Sequence, residues 1–254
     1  MGHSMQHYLV SLETREGAAY SDCAGSERLL VFAAALPRGT ADSVMCGPAT
    51  RHVCHTAMQN AGDDPAALDM AVRRFEQPSS ARFSVQRVPA LLHAANSQLR
   101  EAHDPKRAAP GERPRPLLPP ISAVVLTTWF GHLAVAQAGE LAAAHRIRRR
   151  EVQLMTSHDP SWHPSHALGP AGDAPRSTEL GQSNQLEVIE RREPLEVGDV
   201  FVLSHWISRE DGRSNLVPLF EEMARASSFD AALGTCFRSL SRYGGLPLLI
   251  GHYA

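Results

Sequence analysis

The chain has 254 residues, 43% of them hydrophobic and 20% charged, with a formal net charge of −2. That length supports one large domain or two small ones with a full apolar core, and such a core needs no disulfide or metal to hold it. A near-neutral balance gives no overall electrostatic case for a nucleic-acid or membrane partner, so contact with either would need a local patch. No apolar run approaches the roughly 20 residues that cross a bilayer, and the start lacks a basic stretch followed by an apolar core. Cys23, Cys46, Cys54 and Cys236 form no CxxC pair and no compact framework, so reduced thiols in a cytoplasmic protein are expected. Gly2-His3-Ser4-Met5 reads as an expression remnant; residues 1–5 are set aside and one domain is expected over 6–254.

Tyr8 to Leu12 and Leu29 to Ala35 are short β-type runs on either side of a polar stretch, Glu13 to Glu27, and predict a hairpin-like pair. Val44 to Ala61 carries Val53, Ala57 and Met58 at helical spacing, and Pro65 opens a second helical patch reaching Phe75. Val88 to Ala102 puts Leu91, Leu92, Ala95 and Leu99 on one face and predicts an amphipathic helix. The Pro-rich segment 103–120 predicts a solvated loop. A domain boundary there is the alternative to an internal loop, which is preferred because the flanking segments look like one sheet system.

Ile121 to Thr128, Leu133 to Ala138 and Ala142 to Ile147 predict a strand meander with turns at Phe130-Gly131 and Gly139-Glu140, and Val152 to Thr156 a further short strand. Segment 157–183, rich in Pro, Gly, Ser and His, predicts a long loop. Leu186 to Glu190 and Val200 to Ser204 follow as strands, then helices over Leu216 to Ala226 and Phe229 to Arg242, and a closing strand from Leu246 to His252. This order predicts an α+β fold, a four-layer αββα sandwich of two antiparallel sheets with helices on both outer faces.

The most legible stretch is Pro194 to Ile207, where a Pro and a Gly-Asp turn lead into an apolar run that stops at Ser204-His205-Trp206. It resembles the strand Pro-Gly-Asp-x-x-Leu-Leu-x-Ser-Asp-Gly-Leu of the metal-dependent protein phosphatases, the PPM or protein phosphatase 2C-like family. Other landmarks are similar in order and spacing. Leu154 to Asp159 resembles Leu-Thr-x-Asp-His-Ser with Asp and His exchanged; Ala167-Leu168-Gly169 matches the Ala-Leu-Gly that follows; Ala95-Asn96 fits the second long helix; and Leu133 to Ala143 resembles the strands around Gly-Asp-Ser-Arg.

The resemblance implies a site in which Asp carboxylates hold two Mg²⁺ or Mn²⁺ ions and a bridging water, since hard divalent cations take oxygen ligands. The departures fall there. The bridging Asp and the following Gly fall on Ala35 and Leu36, the Asp-Gly of the opening strand on His205 and Trp206, and the final Asp-Asn on Gly244 and Gly245. Asp22 stands where one Asp is expected, but the phosphate-binding Arg before it is Gly17, with Arg15 nearby; Glu140 stands at the Asp of Gly-Asp-Ser-Arg. The resemblance therefore implies a degenerate site with no catalytic residues, no metal and no cofactor. The expected function is that of a pseudophosphatase acting by protein binding, as scaffold, regulator or competitor for a phosphoprotein or kinase-pathway component. The alternative is a weakly active metal-dependent Ser/Thr protein phosphatase with a rearranged site around Asp22, Glu140 and the His158 loop.

Outside that set, His158, Asp159, His163 and His166 are the densest run of metal-type ligands, but their spacing fits no standard zinc pattern and solvated loop histidines are expected. His52, Cys54 and His55 share a helix, and with no third orienting group near Cys54 packing is expected rather than nucleophilic catalysis. Arg146, Arg148, Arg149 and Arg150 form a basic run that is either a solvated turn or a receiver of an acidic or phosphorylated partner segment. Trp206 is either core filler or a partner contact.

Overall fold

The structure, a computed structural model, describes residues 4–10, 20–37, 40–61, 87–103, 118–129, 131–157, 179–206, 216–243 and 247–254. Among the described residues ten strands form two antiparallel sheets. In spatial order the first holds β1 (Met5–Val10), β10 (Leu248–Tyr253), β9 (Val200–His205), β6 (Ala142–Arg148) and β7 (Glu151–Leu154). The second holds β2 (Tyr20–Gly25), β3 (Leu29–Ala35), β4 (Ile121–Trp129), β5 (His132–Ala138) and β8 (Ile189–Pro194). Helices α1 (Thr40–Ala61) and α2 (Arg87–Ala102) cover the second sheet; α3 (Val217–Ala224) and α4 (Phe229–Ser239), with a 3₁₀ turn Leu240–Tyr243, cover the first. This is the expected αββα sandwich.

The near-continuous apolar runs of β3 and β9 follow from burial on both faces. In β3 Leu29, Val31, Ala33 and Ala35 meet α1 and α2, while Leu30, Phe32 and Ala34 enter the space between the sheets. In β9 Phe201 and Leu203 point between the sheets and Val200 and Val202 point to α3 and α4. Small residues let the sheets close. A Cβ on Gly251 would stand 2.5 Å from Leu30 Cδ1 and 2.7 Å from Met5 Sδ. Ser228 caps α4 by accepting from the Ala231 N–H at 3.2 Å.

Several local expectations are corrected. The run at Tyr8 does not pair with Leu29 to Ala35: β1 lies beside β10 in the first sheet, and the hairpin partner of β3 is β2, drawn from the stretch read as a polar turn. β2 carries Ser21, Asp22 and Gly25, so no apolar alternation announced it. Strand β1 also begins at Met5, which is buried in the inter-sheet core, so the set-aside stretch reaches one residue into the fold. The meander breaks after β5. Gly139, at φ +74°, lets the chain change sheets where any Cβ would strike Ser122 Oγ, and β6 pairs with β7 and β9 instead. The strand expected over Leu186 to Glu190 is β8, shifted to Ile189–Pro194 and charged because it forms a sheet edge. The helical patch at Pro65 to Phe75 and most of the loops 103–120 and 157–183 lie outside the described residues. Among the described residues no helix is long and apolar enough to cross a membrane.

Candidate functional site

Strands β3, β6 and β9 meet at one end of the sandwich, where Ala35 pairs with Ile121 and His205 with Ala142. The chain leaves β3 through Leu36, whose N–H donates to the Pro120 carbonyl at 3.3 Å, and leaves β9 through Trp206, whose N–H donates to the Leu141 carbonyl at 2.8 Å. Half-buried Leu36, Trp206 and Cys23 pack onto the inter-sheet core. His205 sits beside them, 4% exposed, its ring edge-on to Phe32 with centroids 5.6 Å apart. Among the described residues its Nε2 has no hydrogen-bond partner, and burial pushes its pKa down to about 4, so the imidazole is neutral.

Gln137, which no sequence signal had marked, organises the crossover beside this end. Its Nε2 donates to the Gly139 and Ser157 carbonyls, both at 2.9 Å, and its Oε1 accepts from the Ser157 N–H at 2.8 Å. Glu140 lies in the same crossover, next to Leu141. A glutamine near the end of β5 could have been noticed as a break in its apolar run.

Asp22 and Ala35 do not join this group. Asp22 is opposite Ala33 in register, and Ala33 faces the helices, so the Asp22 carboxylate lies over α1, with Oδ2 3.6 Å from Arg51 Nε. Its Oδ1 accepts from the Cys23 N–H at 2.9 Å. Ala35 faces the same helices. The structure thus gathers Leu36, His205 and Trp206 on the inter-sheet side and turns Asp22 and Ala35 outward. Gly244 and Gly245, Arg15 and Gly17, and His158, Asp159, His163 and His166 lie outside the described residues. Cys54 is buried, and burial, then the charges of Asp22 and Cys23, push its thiol well up, so it is not a thiolate nucleophile. His52 is pushed down by burial, then by the His103 and His55 charges.

The basic run lies at the opposite end. Arg148 grips buried Asp199 with two nitrogens, Nε at 2.6 Å from Oδ1, and donates to Glu196 Oε1 at 3.0 Å and the Pro194 carbonyl at 2.8 Å. Arg149 pairs with Glu196 at 2.8 Å, and Arg146, on the first sheet, pairs with Glu193 of β8 on the second at 2.6 Å. Exposed Arg149 and Arg150 form the hairpin turn at φ 50° and 71°. Trp206 and Arg148 to Arg150 therefore belong to different ends of the molecule.

No family model and no curated protein matches the sequence. Solved structures do. The catalytic domain of the serine/threonine protein phosphatase PstP in complex with two manganese ions superposes with TM-score 0.68 at 13% identity, over 100% of both chains. PppA, a key regulatory component of T6SS in Pseudomonas aeruginosa, gives 0.62 at 16% identity over 99% of this chain and 98% of its own. The PPM Ser-Thr phosphatase MsPP from Mycobacterium smegmatis, in complex with cacodylate, gives 0.57 at 14% over 98% and 97%. The chain has the PPM phosphatase fold.

A PPM-type pair of divalent ions needs several hard oxygen donors converging in near-octahedral geometry. At the end of the sandwich where β3 and β9 terminate, Ala35, Leu36, His205 and Trp206 supply no carboxylate, and Asp22 lies on the far face of the sheet. Among the described residues no group of three or more His, Cys, Asp and Glu side chains is placed to hold a metal. These residues do not fit the ion pair.

Proposed function

We propose that this chain is a pseudophosphatase: a PPM fold that works through protein contacts, as scaffold, regulator or competitor for a phosphoprotein or kinase-pathway component, rather than by metal-dependent hydrolysis. One observation carries the reading. Where a PPM phosphatase would need carboxylates around its ions, Leu36, Trp206 and a neutral, buried His205 close the inter-sheet core. An uncharged imidazole 5.6 Å from a phenyl ring is a packing group, and among the described residues two hard cations have no oxygen cage beside it. A cytoplasmic setting belongs to the same proposal, supported by four cysteines that are all free.

The test is hydrolysis of a phosphopeptide and of an aryl phosphate with Mn²⁺ or Mg²⁺. No turnover above a blank is expected, together with capture of a defined protein from the native cell that Trp206→Ala weakens. Metal-dependent turnover lost in Asp22→Ala would overturn the proposal. The alternative, a weakly active phosphatase with a rearranged site, draws on Glu140, whose crossover adjoins Trp206 through Leu141. Turnover lost in Glu140→Gln would favour it.

A further inference from the structure

Among the described residues the two sheets have four edge strands, and three of them carry features that discourage pairing with another strand. β8 reads Ile-Glu-Arg-Arg-Glu-Pro, β7 has only four residues and begins with Glu151, and β2 carries Asp22 paired to Arg51. The fourth, β1, reads Met-Gln-His-Tyr-Leu-Val, with no carboxylate, ammonium, guanidinium or proline. Its Leu9 is 57% exposed.

The hydrogen-bond phase of β1 shows which backbone groups face outward. Ser4 and Ala254 exchange both backbone bonds, at 3.3 and 3.1 Å, and the register continues through Gln6 with His252, Tyr8 with Ile250 and Val10 with Leu248. Antiparallel alternation then turns the N–H and C=O groups of Met5, His7 and Leu9 away from β10. Met5 confirms the phase, since its N–H donates to the Glu27 carbonyl at 2.9 Å. Among the described residues no strand pairs with the outer side of His7 and Leu9.

We propose that β1 is a homodimerisation edge: a second copy of this chain adds its own β1 antiparallel, centred on Tyr8, so that the first sheets of two protomers run on as one. The occupant follows from the strand itself. A two-fold axis through Tyr8 sets His7 of one copy opposite Leu9 of the other on the same face, and their outward N–H and C=O groups satisfy each other reciprocally. A strand without carboxylate, ammonium or guanidinium meets its own copy with no like-charge penalty, and His7 faces Leu9 rather than a second His7. On the other face Tyr8 is held by Phe229, with centroids 5.4 Å apart, and Phe229 stacks on His252 at 4.2 Å, so each copy brings a supported aromatic edge to the axis.

Sedimentation equilibrium of the full chain tests this, and a dimer is expected that Leu9→Lys converts to monomer with an unchanged circular-dichroism spectrum. Cβ atoms of a directly opposed non-hydrogen-bonded pair lie about 4.5–5.5 Å apart, close to disulfide reach. Tyr8→Cys should therefore crosslink into a covalent dimer under mild oxidation, whereas Val44→Cys, at a position 73% exposed on α1, and the wild-type chain should not. A monomer at every concentration, a dimer indifferent to Leu9→Lys, or a folded Tyr8→Cys chain that fails to crosslink overturns the proposal. Should Leu9→Lys not fold, the Tyr8→Cys crosslink decides.

Discussion

At one end of the sandwich the chain leaves β3 and β9 through Leu36 and Trp206 and buries a neutral histidine, whereas at the other end Arg146, Arg148 and Arg149 face Glu193, Glu196 and Asp199. Both ends close the same inter-sheet core. What separates them is whether a charge has somewhere to go. A buried ion is tolerated only with a hydrogen-bonded counter-ion, and Arg148 provides one to Asp199 with two parallel bonds. At the first end no such partner stands beside the inter-sheet residues among the described residues, and apolar side chains take the space. A PPM fold can evidently seal one mouth with ion pairs and the other with packing.

The largest effect that would break this contrast is at Arg148. Arg148→Ala leaves Asp199, only 1% exposed, without its guanidinium and should cost about 3–5 kcal/mol, read as a lower urea midpoint at unchanged slope. A matching loss of about 3–5 kcal/mol is expected from His205→Asp, which puts a carboxylate into the inter-sheet core with no counter-ion beside it among the described residues. Stability restored by Mn²⁺ in that variant would show that an ion cage still exists and would remove the basis of the contrast.

How far the sequence foretold this depended on which force shaped each element. Strands buried on both faces, β3, β4 and β9, were visible as apolar runs, and α2 as an apolar stripe, because burial itself writes the pattern. β2 was not visible, since an edge strand needs little apolar alternation, and neither was the sheet change at Gly139, because a close approach to Ser122 leaves no mark in composition. The residues that stand where the PPM pattern has Asp could be named one by one from the sequence. The outward turn of Asp22 and Ala35 could not, because facing depends on the register of β2 against β3. The pairing of Arg148 with Asp199, 51 positions apart, was likewise beyond local pattern.

Smaller changes sharpen the comparison. Gly139→Ala combines a left-handed φ with a Cβ driven into Ser122 and should cost about 1–3 kcal/mol. His205 sets a pH signature. Its folded pKa is about 4 against an ordinary 6.5, so between those values the unfolded chain binds a proton that the folded chain does not. Stability should therefore fall as pH drops from about 6.5 towards 4, and His205→Leu should flatten that slope in urea melts across the window, leaving the part that His52 and His252, also pushed down by burial, contribute. The smallest effect is at the hairpin turn. Replacing Arg149-Arg150 by Asn-Gly suits two positive φ values and should raise stability by about 1 kcal/mol, less whatever the exposed Arg149–Glu196 pair contributed.

The place of β10 between β1 and β9 has a kinetic consequence. The earliest described strand to leave the ribosome can find its neighbour only when the latest described one emerges, so the first sheet stays incomplete until β10 is out. Such distant pairing slows folding. A nascent β1 would wait with both of its long sides unpaired, and in a crowded cell that interval is when the chain most needs a chaperone's shelter.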